Sequence, residues 1–159
     1  MTGMPAPVQK HVLNLEPHLK QPAMFGAHIL HVEDEVLIAL EVESICRENG
    51  AAEVTHISDL EEAEASDPGR FDVAVVDLSL RGRSTIPFAE KLLNAGVPLV
   101  FMSGLEPSAV KERFPAAQFV AKPFLTGGVV EAIARALASK SPDEIRSADD
   151  LSSRPSSGI

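Results

Sequence analysis

The chain of 159 residues is 45% hydrophobic and 23% charged with a formal net charge of −9, a balance that supports one compact domain with modest appendages and excludes disorder throughout. The acid excess runs through the middle, with 18 acidic and 10 basic residues between positions 28 and 140. A field of that sign repels nucleic-acid phosphates and anionic lipid headgroups, so direct nucleic-acid or membrane binding is not expected and proteins and cations are.

Residues 1–27 carry Pro5, Pro7, Pro17 and Pro22, which interrupt regular structure, and are read as an N-terminal extension. Val8, Val12, Leu15 and Leu19 fall near helical spacing within it and predict a short amphipathic piece. Met24 stands just before the first strand, so translation from it would also give the whole pattern that follows; mass spectrometry of the native protein tests this. No basic-then-apolar leader and no run of about 18 apolar residues is present, so a cytoplasmic location is expected.

From position 28 short apolar runs alternate with helical patterns. Ile29–Val32 predicts a strand and Glu35–Asn49 an amphipathic helix that stops at Gly50 and holds Cys46, the single cysteine, as a small core residue. Ala52–Ile57 predicts a second strand, and Asp59–Ser66 a polar helix ended by Asp67-Pro68-Gly69. Val73–Val76 is a third, wholly apolar strand, followed by a helix over Ile86–Asn94 closed by Gly96. Leu99–Met102, a short helix over Ser108–Arg113, a strand over Gln118–Ala121 and a helix with its core at Val129–Ser139 complete the pattern. Residues 141–159, rich in Ser, Asp and Pro, are expected to be a disordered tail with no output domain in it.

Strict strand-helix alternation predicts an α/β doubly wound fold: a five-stranded parallel sheet of order 2-1-3-4-5 between two helical layers, flavodoxin-like, over residues 28–140. Such sheets bind ligands at the carboxyl ends of their strands. The residues there are Glu33 and Asp34 after the first strand, Asp77 after the third, Ser103 after the fourth and Lys122 after the fifth. Alone, Glu33, Asp34 and Glu35 read as helix N-terminal charges, Asp77 as a cap and Lys122 as a solvated lysine. Together they make an acid cluster that calls for a hard cation such as Mg²⁺, with a carboxylate, Asp77, able to attack a phosphoryl group, and a lysine and hydroxyl able to stabilise its oxygens.

This set, Glu33-Asp34, Asp77, Ser103-Gly104 and Lys122-Pro123-Phe124, resembles the receiver domain of bacterial two-component response regulators, over roughly residues 28–140. Asp77–Ser84 and Val97–Gly104 further resemble the single-domain receivers of alphaproteobacteria. The resemblance implies Mg²⁺ held by Glu33, Asp34, Asp77 and the Ser79 backbone carbonyl, and phosphorylation of Asp77 by a histidine kinase or histidine phosphotransfer protein. It also implies a Ser103 that turns toward the phosphoryl group, an aromatic switch at Phe119, and a cis Lys122–Pro123 peptide. The message would pass by protein contact to a separate downstream target, and homodimerisation through the fourth helix and fifth strand is common among such domains. Beyond accepting and slowly losing its own phosphoryl group, the chain is not expected to be an enzyme.

Departures from the commonest pattern are Glu-Asp for Asp-Asp, a loop after Asp77 with Arg81-Gly82-Arg83 in place of a proline, and Phe119 without a phenolic hydroxyl. Ser79 and Leu105 stand where dephosphorylation is tuned, and neither activates water, which points to a long-lived phosphorylated state. The alternatives are a degenerate receiver that binds without phosphorylation and, less favoured, a metal-dependent phosphotransfer or nucleic-acid cleaving enzyme, which would want Asp-x-Asp where this chain has Asp77-Leu78-Ser79. A flavin binder lacks any Trp or Tyr to stack on the ring. His28, His31, His11 and His18 read as surface or satisfied histidines, not metal ligands. Arg81 and Arg83 read as solvated, with a phosphate-gripping role as the alternative.

Overall fold

The computed structural model describes residues 21–105 and 107–140; the amphipathic piece before Pro17, His11, His18 and the tail after position 140 lie outside the described residues. The elements run β1 (His28–Val32), α1 (Val36–Glu48), β2 (Glu53–Ile57), α2 (Leu60–Ala65), β3 (Val73–Asp77), β4 (Ser79–Leu80), β5 (Arg83–Ser84), α3 (Ile86–Asn94), β6 (Leu99–Ser103), α4 (Ser108–Arg113), β7 (Gln118–Ala121) and α5 (Thr126–Ser139).

The five long strands form a parallel sheet ordered β2-β1-β3-β6-β7, which is the expected doubly wound order once the small hairpin β4–β5 is set aside. β3 is central, and Val73, Ala74, Val75 and Val76 are all buried, as a parallel strand covered on both faces requires. Strand alternation divides the core. Ile29, Val54, Val75 and Met102 face Val42, Ile45 and Cys46 of α1 and Ile133 of α5. Leu30, Val32, Val76 and Phe101 face Leu60 of α2, Phe88 and Leu92 of α3, and Phe114 after α4.

Local chemistry explains where the helices start and stop. The Asp59 carboxylate accepts from Glu61 N–H at 3.0 Å and Glu62 N–H at 3.2 Å, a cap worth about 1 kcal/mol to short α2. Gly50 ends the α1 turn at φ +91°, and a Cβ there would stand 2.7 Å from the Pro22 side chain, so both conformation and space require glycine. That contact ties in residues assigned by sequence to the extension. Met24 and Ala27 are buried in the α1/α5 core, and Met24 N–H donates to Asn49 O at 2.9 Å. Pro17 and Pro22 nearby mask this local turn, which has no helical or strand periodicity to reveal it.

The hairpin is the element not expected. Its central residues Arg81 and Gly82 have φ of 51° and 78°, the left-handed pair that a two-residue hairpin with strand-matching twist needs. Leu80, 1% exposed, pins it to the α2/α3 core. Among the described residues no helix is long and apolar enough to cross a membrane.

Candidate functional site

Because the sheet is parallel, every strand ends on the same rim, and the order places β1, β3, β6 and β7 side by side. β1 delivers Glu33 and Asp34, β3 ends in Asp77, β6 ends in Ser103, and the turn after β7 delivers Lys122. Lys122 N–H donates to Ser103 O at 2.8 Å, continuing the sheet by one residue. The Lys122–Pro123 peptide is cis.

Glu33, Asp34, Asp77 and Lys122 are brought together. One carboxylate oxygen of each acid lies within 4.8 Å of the others. Lys122 Nζ donates to Glu33 Oε2 at 2.7 Å and to Asp77 Oδ2 at 2.7 Å, and the Glu35 carboxylate lies 3.9 Å from it. The side chains of Lys122 and Asp77 are 14% and 13% exposed and that of Glu33 is fully buried. Burial pushes the Glu33 carboxyl above its ordinary range, against the hydrogen bonds from Lys122 and from Glu35 N–H. Burial also opposes the charge on Lys122, but its hydrogen bonds to Asp77 and Glu33 prevail and hold the ammonium above the usual lysine value.

The remaining oxygens are positioned by backbone. Asp77 Oδ1 accepts from Ser79 N–H at 3.1 Å, and Asp34 Oδ2 accepts from Arg81 N–H at 3.0 Å. Thus the hairpin that replaces an ordinary loop holds two of the three acids. With Lys122 charged, three carboxylates leave an excess of two negative charges on hard oxygen donors, a set that fits a hard divalent cation. Asp34, Asp77, Ser79, Arg81 and Lys122 line an open cleft of about 590 Å³ above the strand ends.

Ser103 and Phe119 stand on the adjoining side. The Ser103 hydroxyl accepts from Leu105 N–H at 3.0 Å and is 3.1 Å from Leu105 O, to which it donates, so it caps its own loop and is not turned to Asp77. Phe119 is half-buried, stacked on Phe101 at 5.4 Å between ring centroids, with Lys111 Nζ 5.5 Å from its own centroid.

Three contributors escaped the sequence reading. The buried Thr85 hydroxyl donates to Asp77 O at 2.5 Å, fixing the Asp77 backbone from the residue before α3; a threonine preceding Ile86-Pro87 was a visible helix-start signal. His56 Nε2 lies 2.7 Å from Glu33 O. His31, read as surface or satisfied, is fully buried, and neither ring nitrogen has a hydrogen-bond partner among the described residues. Its position in the middle of β1, facing α1 and α5, forces that burial. Burial, with the nearby His56 and Lys122 charges, pushes its pKa down to about 3, so the ring is neutral.

No protein-family model matches the sequence, and no curated protein matches it. Solved structures do. The chain is similar to the receiver domain of the response regulator PhyR from Erythrobacter litoralis, with 28% identity over 76% of this chain and 97% of that one, at a TM-score of 0.60. It is similar to the signal receiver domain of a modulated diguanylate cyclase from Desulfovibrio desulfuricans, with 25% identity over 72% of this chain and 96% of that one, at a TM-score of 0.64. The response regulator PhyR from Brucella abortus shares 21% identity over 81% of this chain at a TM-score of 0.61, and the match spans 52% of its length.

Proposed function

The chain is by fold a receiver domain of the response-regulator kind, and from that premise we propose that it is a phosphorylation-operated signalling switch whose phosphoryl acceptor is Asp77. The observation that carries the reading is the Lys122 ammonium 2.7 Å from an Asp77 carboxylate oxygen, beside two further acids within 4.8 Å.

The donor is a phosphohistidine of a histidine kinase or phosphotransfer protein. One Asp77 carboxylate oxygen attacks phosphorus, the bond from phosphorus to the histidine nitrogen breaks, and that nitrogen keeps the electron pair and takes a proton. Glu33, Asp34, Asp77 and the Ser79 carbonyl would hold Mg²⁺, which supplies positive charge against the carboxylates and the phosphoryl oxygens when bound. Lys122, fixed by two acids, presents its ammonium to the same oxygens. Thr85 and Ser79 keep the Asp77 backbone and carboxylate still, so little reorganisation accompanies attack.

Signalling follows from Ser103. Its hydroxyl exchanges the Leu105 backbone for a phosphoryl oxygen, and the loop after β6 moves with it. Phe119, stacked on Phe101 at the edge of that loop, then buries further and changes the surface formed by α4, β7 and α5. A separate protein reads that surface. Acting on its own Asp77 and turning over no substrate, the chain is a switch and not an enzyme, and it works in the cytoplasm, where ATP-derived phosphoryl groups arise.

Incubation with acetyl phosphate and Mg²⁺ is expected to give a covalent adduct that hydroxylamine releases, as it does acyl phosphates. No adduct from this donor, nor from phosphorylated histidine phosphotransfer proteins, would turn the assignment toward a phosphorylation-independent binding module.

A further inference from the structure

A phosphoryl donor is an anion, and the folded body it approaches carries 18 acidic against 10 basic residues between positions 28 and 140. Long-range attraction to the Asp77 cleft must therefore come from cations at the cleft itself. Among the described residues two line it, Lys122 and Arg81. Lys122 is already committed, hydrogen-bonded at 2.7 Å to both Glu33 and Asp77.

Arg81 differs. Its side chain is 63% exposed and its nearest acid, Asp59, is 3.7 Å away at the loose edge of an ion pair, with no hydrogen bond from its guanidinium among the described residues. Arg83, two residues on, is instead locked to Glu61 by a direct hydrogen bond. The Arg81 backbone is fixed to the site, because its N–H holds Asp34 Oδ2 at 3.0 Å and the neighbouring Leu80 is buried. It is also the only residue other than glycine with positive φ among the described residues, at 51°. Glycine would adopt that conformation without cost, so the strain gives a reason to look for work done by the side chain.

We propose that Arg81 is the anion-recruiting residue of the site: its guanidinium leaves Asp59 and takes the phosphate oxygens of the incoming donor, holding phosphorus over Asp77. This rests on the reading of Asp77 as acceptor. Arginine suits the task, since its planar fork pairs with two phosphate oxygens at once. The attraction acts on the bound donor as much as on the transition state, so it lowers the donor concentration needed and leaves the maximal rate nearly unchanged.

The test measures adduct formation on the full chain across an acetyl phosphate series at saturating Mg²⁺, in low and high salt, for wild type, Arg81→Gln, Arg81→Lys and Arg83→Gln. Both Arg81 variants keep a Cβ at the left-handed position, so the backbone cost is held constant. Arg81→Gln is expected to raise the half-saturating donor concentration roughly threefold to tenfold and to lose most of the wild-type salt dependence. Arg81→Lys should recover part of both, and Arg83→Gln should match wild type. An Arg81→Gln protein with wild-type half-saturation, or one impaired in maximal rate alone, would overturn the assignment while leaving Asp77 in place. A wild type that forms no adduct at all would remove both.

Discussion

Neutralising one acid of the cleft separates its cost to the fold from its use to the site, and Asp34→Asn does this most cleanly. Among the described residues Asp34 has no lysine partner, and its carboxylate lies within 4.8 Å of carboxylate oxygens of Glu33 and Asp77. At that separation two unit charges repel by about 1 kcal/mol in bulk water and about 3.5 kcal/mol at the effective dielectric of a protein surface. Lys122, hydrogen-bonded to both Glu33 and Asp77, offsets part of that repulsion. Asparagine keeps an oxygen to accept Arg81 N–H, which limits what is lost. With chelator present, Asp34→Asn should therefore be more stable than wild type by about 1–3 kcal/mol, a rise of roughly 5–10 °C in Tm for a body of this size. Added Mg²⁺ should reverse the order. A cation at a hundredfold excess over its Kd stabilises wild type by about 2.7 kcal/mol and should do little for the variant, which lacks one of its ligands. Thermal and urea denaturation with chelator and with Mg²⁺ read both effects. An Asp34→Asn protein less stable in chelator, or one stabilised by Mg²⁺ as much as wild type, would refute the reasoning.

Other outcomes follow from the same geometry. Lys122→Met leaves the buried Glu33 carboxylate without its cation, at a cost of about 3 kcal/mol near neutral pH; because the folded-state pKa of Glu33 is raised, the native state binds its proton first. Stability should then recover as pH falls toward 4.5, the ordinary carboxyl value, which urea titrations across pH would show as a slope steeper than that of wild type. His31 gives the opposite slope: with its pKa lowered from 6.5 to about 3, the unfolded chain takes the proton first, and stability falls as pH drops through that window. The loss should be about 2–3 kcal/mol by pH ~4.5, and His31→Leu, similar in size and without unpaired nitrogens, should flatten it. A His31→Leu profile as steep as wild type would place the acid sensitivity elsewhere.

Most of the architecture was legible because each long element obeys one period. The wholly apolar Val73–Val76 has the pattern of a central parallel strand, and the convergence of Glu33, Asp34, Asp77 and Lys122 followed from strand order alone. What lay hidden is shorter than a period or depends on rotamers. Ser79-Leu80-Arg81-Gly82-Arg83-Ser84 is too brief and polar to signal a hairpin, and Arg81-Gly82 is not among the usual turn pairs. The Ser103 hydroxyl has a choice between its own loop and Asp77, and no spacing rule decides between them. His31 was misread because a histidine within an apolar strand gives no sign of whether its ring finds a partner.

The central claim, that Asp77 accepts a phosphoryl group, is tested most directly by intact-mass analysis of wild type and Asp77→Asn after incubation with acetyl phosphate, with and without Mg²⁺. The account predicts a single phosphate-sized gain in wild type that needs Mg²⁺ and is absent from a normally folded Asp77→Asn. The same gain in Asp77→Asn, or one in wild type indifferent to Mg²⁺, would contradict it.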